Sequence, residues 1–126
     1  MIDINKQISH WRDGSLEELQ VAQVLLEKNH IRQALFWAHL TLEKMLKAHV
    51  CKHTGDIPPR IHNLARLSEL GGLKLETEKM KFLILVDGFN IEGRYPEYLT
   101  PAPELREARS IMKQIGELVL WLNEQL

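Results

Sequence analysis

The chain has 126 residues, a length that fits one domain able to bury a single core. Its 16 Lys and Arg residues against 17 Asp and Glu residues give a net charge of −1, which excludes a global attraction to nucleic acid, so any RNA contact needs a local basic patch. One cysteine, Cys51, excludes an internal disulfide, and no signal peptide or apolar stretch of membrane-spanning length is recognisable, so we expect a cytoplasmic protein without membrane contact.

Five helical stretches are predicted in chain order, and the first covers residues 3–28. The tripeptide Asp13-Gly14-Ser15 interrupts it, and Ser15 and Glu18 have the spacing of a helix-capping box. One long helix and two shorter helices both fit this pattern, and Asn29 is expected to end the stretch. Its apolar stripe is formed by Leu16, Leu19, Val21, Ala22, Leu25 and Leu26.

The second stretch, residues 31–53, is apolar over more than one face. Apolar residues recur at steps of three and four, and Phe36 and Trp37 widen the face that they form. This pattern is typical of a helix that lies between neighbouring helices or at a subunit contact. Glu43 and Lys47 are four residues apart with the acidic residue first, the favoured orientation for an ion pair along a helix.

The remaining stretches cover residues 62–70, residues 76–92 and the chain after Pro103. No pair of strands is recognisable, and the connections between the long stretches are short. The predicted fold class is therefore all-α: an antiparallel up-and-down bundle of about five helices that forms one domain over residues 1–126. The expected core positions of the fourth stretch are Met80, Leu83, Ile84 and Phe89.

Two histidines of the second stretch, His49 and His53, are four residues apart, a spacing that can present two imidazoles to one metal ion. No third ligand stands at a matching distance, so we expect no metal and no cofactor. The preferred interpretation is that both histidines are solvated or cap the end of the helix, where positive charge suits the helix dipole.

A basic stripe of Lys44, Lys47 and Lys52 follows the same stretch, and such a stripe is more often a solvated face than a nucleic-acid site. If the turn after this stretch folds back, His62 and Arg94 would approach Lys47.

The connection after the fourth stretch carries Arg94, Tyr95 and Pro96. The guanidinium group of Arg94 offers a planar fork for a phosphate or a carboxylate. The same segment also suits a simple helix cap with Tyr95 packed on the bundle, because Pro96 ends the helix. Both interpretations stay open at this point.

Short motifs in a fixed order extend over nearly the whole chain. They are Trp11, the run from Glu43 through Lys47-Ala48, His62-Asn63-Leu64 and Arg94-Tyr95-Pro96. Each motif is weak alone, but their order and spacing together resemble the HEPN domain family.

The resemblance implies an α-helical bundle that is usually a homodimer and is often encoded beside a minimal nucleotidyltransferase, with which it forms a complex. Several such pairs are toxin–antitoxin systems. The family's name also implies nucleotide binding. On that basis the polar pocket would be formed by Glu43, Lys47, His62, Arg94 and Tyr95, with Glu43 orienting Lys47.

Some members of the family are metal-independent RNases, in which a late Arg is followed after four to six residues by a His. No His follows Arg94 in this sequence, so we carry over no RNase residue and assign no catalytic residue. Arg32 and His39 have a fitting separation, but they lie in the second stretch rather than late in the chain.

Three functions fit these observations. The first is a homodimeric HEPN-type binding module, not itself an enzyme, that is the partner of a minimal nucleotidyltransferase and binds a nucleotide, RNA or another polyanion. The second is a metal-independent RNase toxin with a non-standard site, which uses Arg94 or Arg32 with His39 or His62. The third is a purely structural helical adaptor.

Overall fold

Five helices make up the computed structural model, which describes residues 2–94 and 101–126, with the backbone alone for residues 91–94. The predicted all-α bundle is confirmed, since each predicted stretch corresponds to one helix and the described residues contain no strand. Among the described helices, none combines the length and the apolarity needed to span a bilayer. The helices are α1 (Ile4–Glu27), α2 (Ile31–Thr54), α3 (Leu64–Leu70), α4 (Thr77–Arg94) and α5 (Leu105–Glu124).

Helix α2 lies at the centre of the bundle, because it packs against α1, α3, α4 and α5. From Ala34 to Cys51 most of its positions are buried, which agrees with the prediction of a helix between neighbours. The buried positions include the polar residues His39, Glu43 and Lys47. Buried polar groups need hydrogen-bond partners inside the protein, so these side chains form a polar network at the edge of the core.

Helix α1 is one long helix, which decides between the two alternatives that the sequence left open. The predicted capping box is wrong, because Ser15 is buried in the middle of the helix and its Oγ–H donates to the carbonyl of Thr41 at 2.6 Å. Serine is a common helix cap because its hydroxyl readily forms a hydrogen bond with a backbone group. Here the hydroxyl finds its backbone partner on the neighbouring helix instead. Ser15 therefore joins α1 to α2.

Gly14 lets α1 and α2 approach closely at this contact. A Cβ atom at position 14 would lie 3.3 Å from Cδ of Lys44, so the glycine leaves space for the lysine stem. Lys44 then forms an ion pair with Glu18 on α1. The two helices run antiparallel. One turn further along this contact, Nζ of Lys47 on α2 lies over the ring of Trp11 on α1.

Three helices are followed by a residue in the left-handed backbone region, and one of these residues, Asn29, is the predicted end of the first stretch. Asn29 has φ = 65° and ends α1, with the N–H of His30 donating to the carbonyl of Leu25 at 2.9 Å. Gly55 has φ = 69° at the end of α2, and Gly72 has φ = 70° after α3. Glycine and asparagine adopt this conformation at the least cost, which explains why they end these helices.

Two residues are exposed against expectation: Val21, predicted on the apolar stripe of the first stretch, and Ile84, predicted in the core. Val21 of α1 is 42% exposed, and Ile84 of α4 is 63% exposed. Helix α4 buries Leu83 and Val86 against its neighbours, and because successive residues turn by about 100° around a helix, Ile84 points away from that face. The prediction was right for Leu83 and Phe89, which are buried, and it missed Val86. The apolar residues of α4 exceed what one face can bury, so periodicity alone did not separate the buried ones from the exposed ones.

His49 connects α2 to α5. It is buried, and its Nε2–H donates to the carbonyl of Leu122 at 2.8 Å, so the prediction of a solvated or capping histidine is wrong for this residue. Burial lowers the pKa of the His49 imidazole, the hydrogen bond to Leu122 partly opposes this effect, and the nearby Lys52 ammonium lowers the pKa further.

The lowered pKa of His49 predicts a specific loss of stability in acid. The folded protein binds this proton less readily than the unfolded chain, so the free energy of unfolding falls as the pH drops below about 6.5, and it levels off below the folded-state pKa. One such group changes the free energy of unfolding by at most about 1.4 kcal/mol per pH unit. Urea unfolding of the wild type and His49→Gln from neutral to acidic pH measures this contribution, because glutamine keeps a donor and does not titrate. Equal slopes for the two proteins would contradict the assignment.

Candidate functional site

The carboxylate of Glu43 lies at the centre of the candidate site, and both of its oxygens accept hydrogen bonds. Oε2 accepts from Nζ of Lys47 at 3.1 Å, one helical turn further along α2. Oε1 accepts from Nδ1–H of His62 at 2.9 Å. The side chains of Glu43 and Lys47 are each 7% exposed, whereas that of His62 is 50% exposed. A buried carboxylate thus joins α2 to the connection that precedes α3, and it leaves one imidazole edge open to solvent.

Two aromatic rings of α1 border this site. Nζ of Lys47 lies 5.2 Å from the centre of the Trp11 ring, within the range of a cation–π interaction. Trp11 in turn packs edge-to-face against His10, with the ring centres 5.1 Å apart. We call His10 and Trp11 the aromatic rim. The ammonium of Lys47 is therefore held between the Glu43 carboxylate and an indole ring.

A second carboxylate, that of Asp87 on α4, lies next to the first. Its Oδ1 accepts from Nε2–H of the fully buried His39 at 2.9 Å. Its two oxygens also accept from the backbone N–H of Leu64, at 3.2 and 3.1 Å, at the first residue of α3. Nδ1 of His39 forms no hydrogen bond with the described residues and lies 3.8 Å from Oε1 of Glu43. His39 thus lies between the two carboxylates and is hydrogen-bonded to that of Asp87, which also occupies the positive end of α3.

The hydrogen bond between Glu43 and His62 fixes which imidazole nitrogen carries the proton in the neutral ring. Because Nδ1 donates to the carboxylate, Nε2 carries the lone pair. A histidine held in this way presents an acceptor to a ligand or a base to a substrate. Lys47 contributes little to such a contact, since it is buried and paired with Glu43.

The structure brings together three of the five residues predicted for the polar pocket: Glu43, Lys47 and His62. Arg94 is the last residue of α4, and its side chain lies outside the part of the chain that is described. Tyr95 also lies outside the described residues.

The alternative pair of Arg32 and His39 does not form a surface site. His39 is completely buried and donates to Asp87, so it offers no nitrogen to solvent. Arg32 precedes Glu43 by eleven residues on α2, which is about 16 Å along the helix axis. Of the two histidines named in the RNase hypothesis, His39 and His62, it is His62 whose ring reaches the surface.

Asp87 was not among the predicted site residues, although the sequence contains a signal for it. It follows the core residue Leu83 by four positions, so the spacing places an acidic residue on the apolar face of α4. A charged residue at a core position is rarely left without partners, and here the partners are His39 and the first N–H of α3.

The described residues outside this site provide neither a metal-binding cluster nor an activated thiol. No group of three His, Cys, Asp or Glu side chains there could hold a metal ion. Cys51 is buried, and burial raises the pKa of its thiol, which makes it a poor nucleophile.

Comparison with known proteins identifies a family by sequence and a relative by fold. The model of the HEPN domain family matches residues 8–125 of this chain. The protein TT1696 from Thermus thermophilus, known from a crystal structure, superposes with a TM-score of 0.80 at 20% sequence identity, over 95% of this chain and 98% of its own. No curated protein matches this sequence. At this low identity the likeness to TT1696 concerns the fold alone.

The buried ion pair predicts an asymmetric response to mutation. Lys47→Met leaves the Glu43 carboxylate buried without its cation, and we expect it to cost about 3–5 kcal/mol of unfolding free energy. The double variant Lys47→Met/Glu43→Leu removes both charges and is expected to be more stable than Lys47→Met alone. Urea unfolding of the wild type, both single variants and the double variant measures this coupling.

The matched control for this comparison of single and double variants is the exposed ion pair between Arg66 and Glu69, in which both side chains are more than half exposed. Arg66→Ala should cost less than about 1 kcal/mol, because solvent screens surface pairs. A Lys47→Met variant no less stable than Arg66→Ala would contradict the structural role given to Lys47.

Proposed function

Because this chain belongs to the HEPN domain family, we propose that it is a helical module that binds a nucleotide or a single strand of RNA, as a homodimer and as the partner of a minimal nucleotidyltransferase. In this proposal the module binds and does not catalyse. Its ligand contacts the open edge of His62 and stacks on the aromatic rim.

The observation that carries the proposal is the half-exposed His62 ring, anchored by the buried Glu43 beside the aromatic rim. Unstacked bases bind proteins chiefly by stacking on aromatic rings and by hydrogen bonds to side chains whose orientation is fixed. The rim supplies the rings, and the Glu43–His62 hydrogen bond supplies an oriented polar group. A net charge of −1 favours such a local contact over broad electrostatic attraction.

The homodimer and the nucleotidyltransferase partner are proposed from the family resemblance. Exposed apolar side chains support the presence of a partner surface: Ile84 and Leu85 are adjacent on α4, and Leu120 and Trp121 are adjacent on α5. A subunit contact on these faces would remove apolar area from water, which is the usual stabilising term in association.

A metal-independent RNase is the second candidate, and the Glu43–His62 dyad is the observation that favours it. In that reaction Nε2 of His62 would take the proton of a ribose 2′-hydroxyl. The 2′-oxygen would then attack the adjacent phosphorus, and the 5′-oxygen would leave with a proton from solvent, which forms a 2′,3′-cyclic phosphate. The described residues of the site place no cation where the phosphorane charge would develop, since Lys47 is paired with Glu43, so binding is the better-supported function.

Trp11 provides the test of ligand binding. We expect the wild type to bind a fluorescent uridine oligomer or ATP, and Trp11→Ala to weaken the affinity by roughly tenfold or more, because stacking contributes about 1–3 kcal/mol per base. Trp11→Phe should retain most of the affinity, since it keeps an aromatic face. Fluorescence anisotropy with the oligomer and calorimetry with ATP measure these values.

The control for this experiment is His30→Ala, since His30 precedes α2 and its side chain makes no capping hydrogen bond. Wild-type protein that binds neither ligand would contradict the proposal and favour the structural adaptor. The oligomer is also run on a denaturing gel after incubation in EDTA. Intact RNA supports a binding module, whereas cleavage that disappears in His62→Ala would favour the RNase.

Assembly is tested separately by sedimentation and co-purification. We expect the protein alone to sediment as a dimer at micromolar concentration, and to co-purify with a small nucleotidyltransferase encoded by the neighbouring gene. A monomer would contradict the homodimer. A neighbouring gene of another kind, or a nucleotidyltransferase that does not co-purify, would contradict the pairing and leave the ligand proposal intact.

A further inference from the structure

We infer that His62 is a specificity-determining residue that recognises a ribose 2′-hydroxyl, so that the site selects ribonucleotides over deoxyribonucleotides. The inference rests on the proposed function and deepens it, because it names the chemical group that the open edge of His62 accepts. Some polar atoms of the site are already occupied by protein partners, and the atoms that remain determine what a ligand must offer.

The acceptor character of Nε2 is fixed by buried groups. Nδ1–H of His62 donates to Oε1 of Glu43 at 2.9 Å. That carboxylate cannot turn away without losing the hydrogen bond from Lys47 at Oε2, and Lys47 is itself held by the ring of Trp11. The imidazole orientation is therefore set by α1 and α2 rather than by the connection that carries it. In the neutral ring, Nε2 is left to accept a hydrogen bond from outside.

Two positive groups of the described site, the Lys47 ammonium and the first N–H of α3, are occupied. Lys47 is 7% exposed and is paired with Glu43. The N–H of Leu64, at the positive end of α3, is taken by both oxygens of Asp87. An incoming phosphate would meet two carboxylates whose charge is only partly balanced, so a phosphate is poorly matched to the position next to His62.

A ribose hydroxyl is the group that fits this position. An oriented acceptor nitrogen requires a donor from the ligand, and a nucleotide carries donors on its base edges and on its sugar hydroxyls. Inside an RNA strand the 3′-oxygens are esterified, so the 2′-hydroxyl is the one sugar donor at each internal nucleotide whatever its base, and it is the group by which proteins distinguish RNA from DNA. A base stacked on the aromatic rim would bring its own ribose toward the Glu43–His62 pair, because Lys47 links the two.

The test compares ligands that differ only at the 2′-position, with unmodified protein, so that folding of a variant does not enter. Affinities for a uridine oligomer, the deoxyuridine oligomer and the 2′-O-methyl oligomer of equal length are measured by fluorescence anisotropy at about pH 8, above the ordinary titration range of histidine. We expect the ribo-oligomer to bind about tenfold tighter than the other two, which lack the donor. ATP and 2′-deoxy-ATP, compared by calorimetry, distinguish a free nucleotide from a strand as the source of the ribose.

His62→Ala is expected to bind all three oligomers with equal affinity, whereas the His30→Ala control keeps the preference for RNA. Equal binding of the ribo- and deoxyribo-oligomers by the wild type would overturn the inference while leaving the proposed function standing. A preference that persists in His62→Ala, with the variant's thermal unfolding unchanged, would overturn it as well. If neither the oligomers nor ATP bind, the proposed function itself fails, and the inference fails with it.

Discussion

The Glu43 carboxylate, buried between Lys47 and His62, is the interaction on which the candidate site depends. Removing a carboxylate from water is costly, and the cost is offset here by one cation and one imidazole N–H. Both partners must stay in place for the carboxylate to remain buried. The orientation of these side chains is therefore fixed by buried contacts, even though His62 belongs to a connection and is half exposed.

Asp87 extends this constraint to the third and fourth helices. It binds the first N–H of α3 and the buried ring of His39, so that α2, α3 and α4 meet at one set of polar contacts. His62 and Leu64 are two residues apart, and each is attached to a different carboxylate. The chain between them is thus anchored on both sides, which gives His62 a definite orientation without a helix or a strand of its own.

The fold and part of the site were predictable from sequence because they depend on short spacings. Apolar periodicity identified the five helices, and the separation of four residues identified the Glu43–Lys47 pair. The contact between Glu43 and His62 joins residues 19 positions apart, so no short spacing predicted it. The sequence predicted that His62 would approach Lys47 if the turn folds back, and the family resemblance assigned Glu43 and His62 to the same pocket. Ser15 was assigned to a cap because a serine that joins two helices and one that caps a helix have the same local sequence. Asp87 was missed because its partners lie on other elements.

The central position of α2 has a consequence for how a bound ligand would be detected. Glu43 lies on the helix that contacts every other described helix, so its burial depends on the packing of the whole bundle. A ligand that binds the folded site and not the unfolded chain then shifts the whole unfolding equilibrium, by RT ln(1 + [L]/Kd). Its signature is a rise in the midpoint of thermal unfolding. Collections of nucleotides can accordingly be screened by the melting temperature of the intact domain.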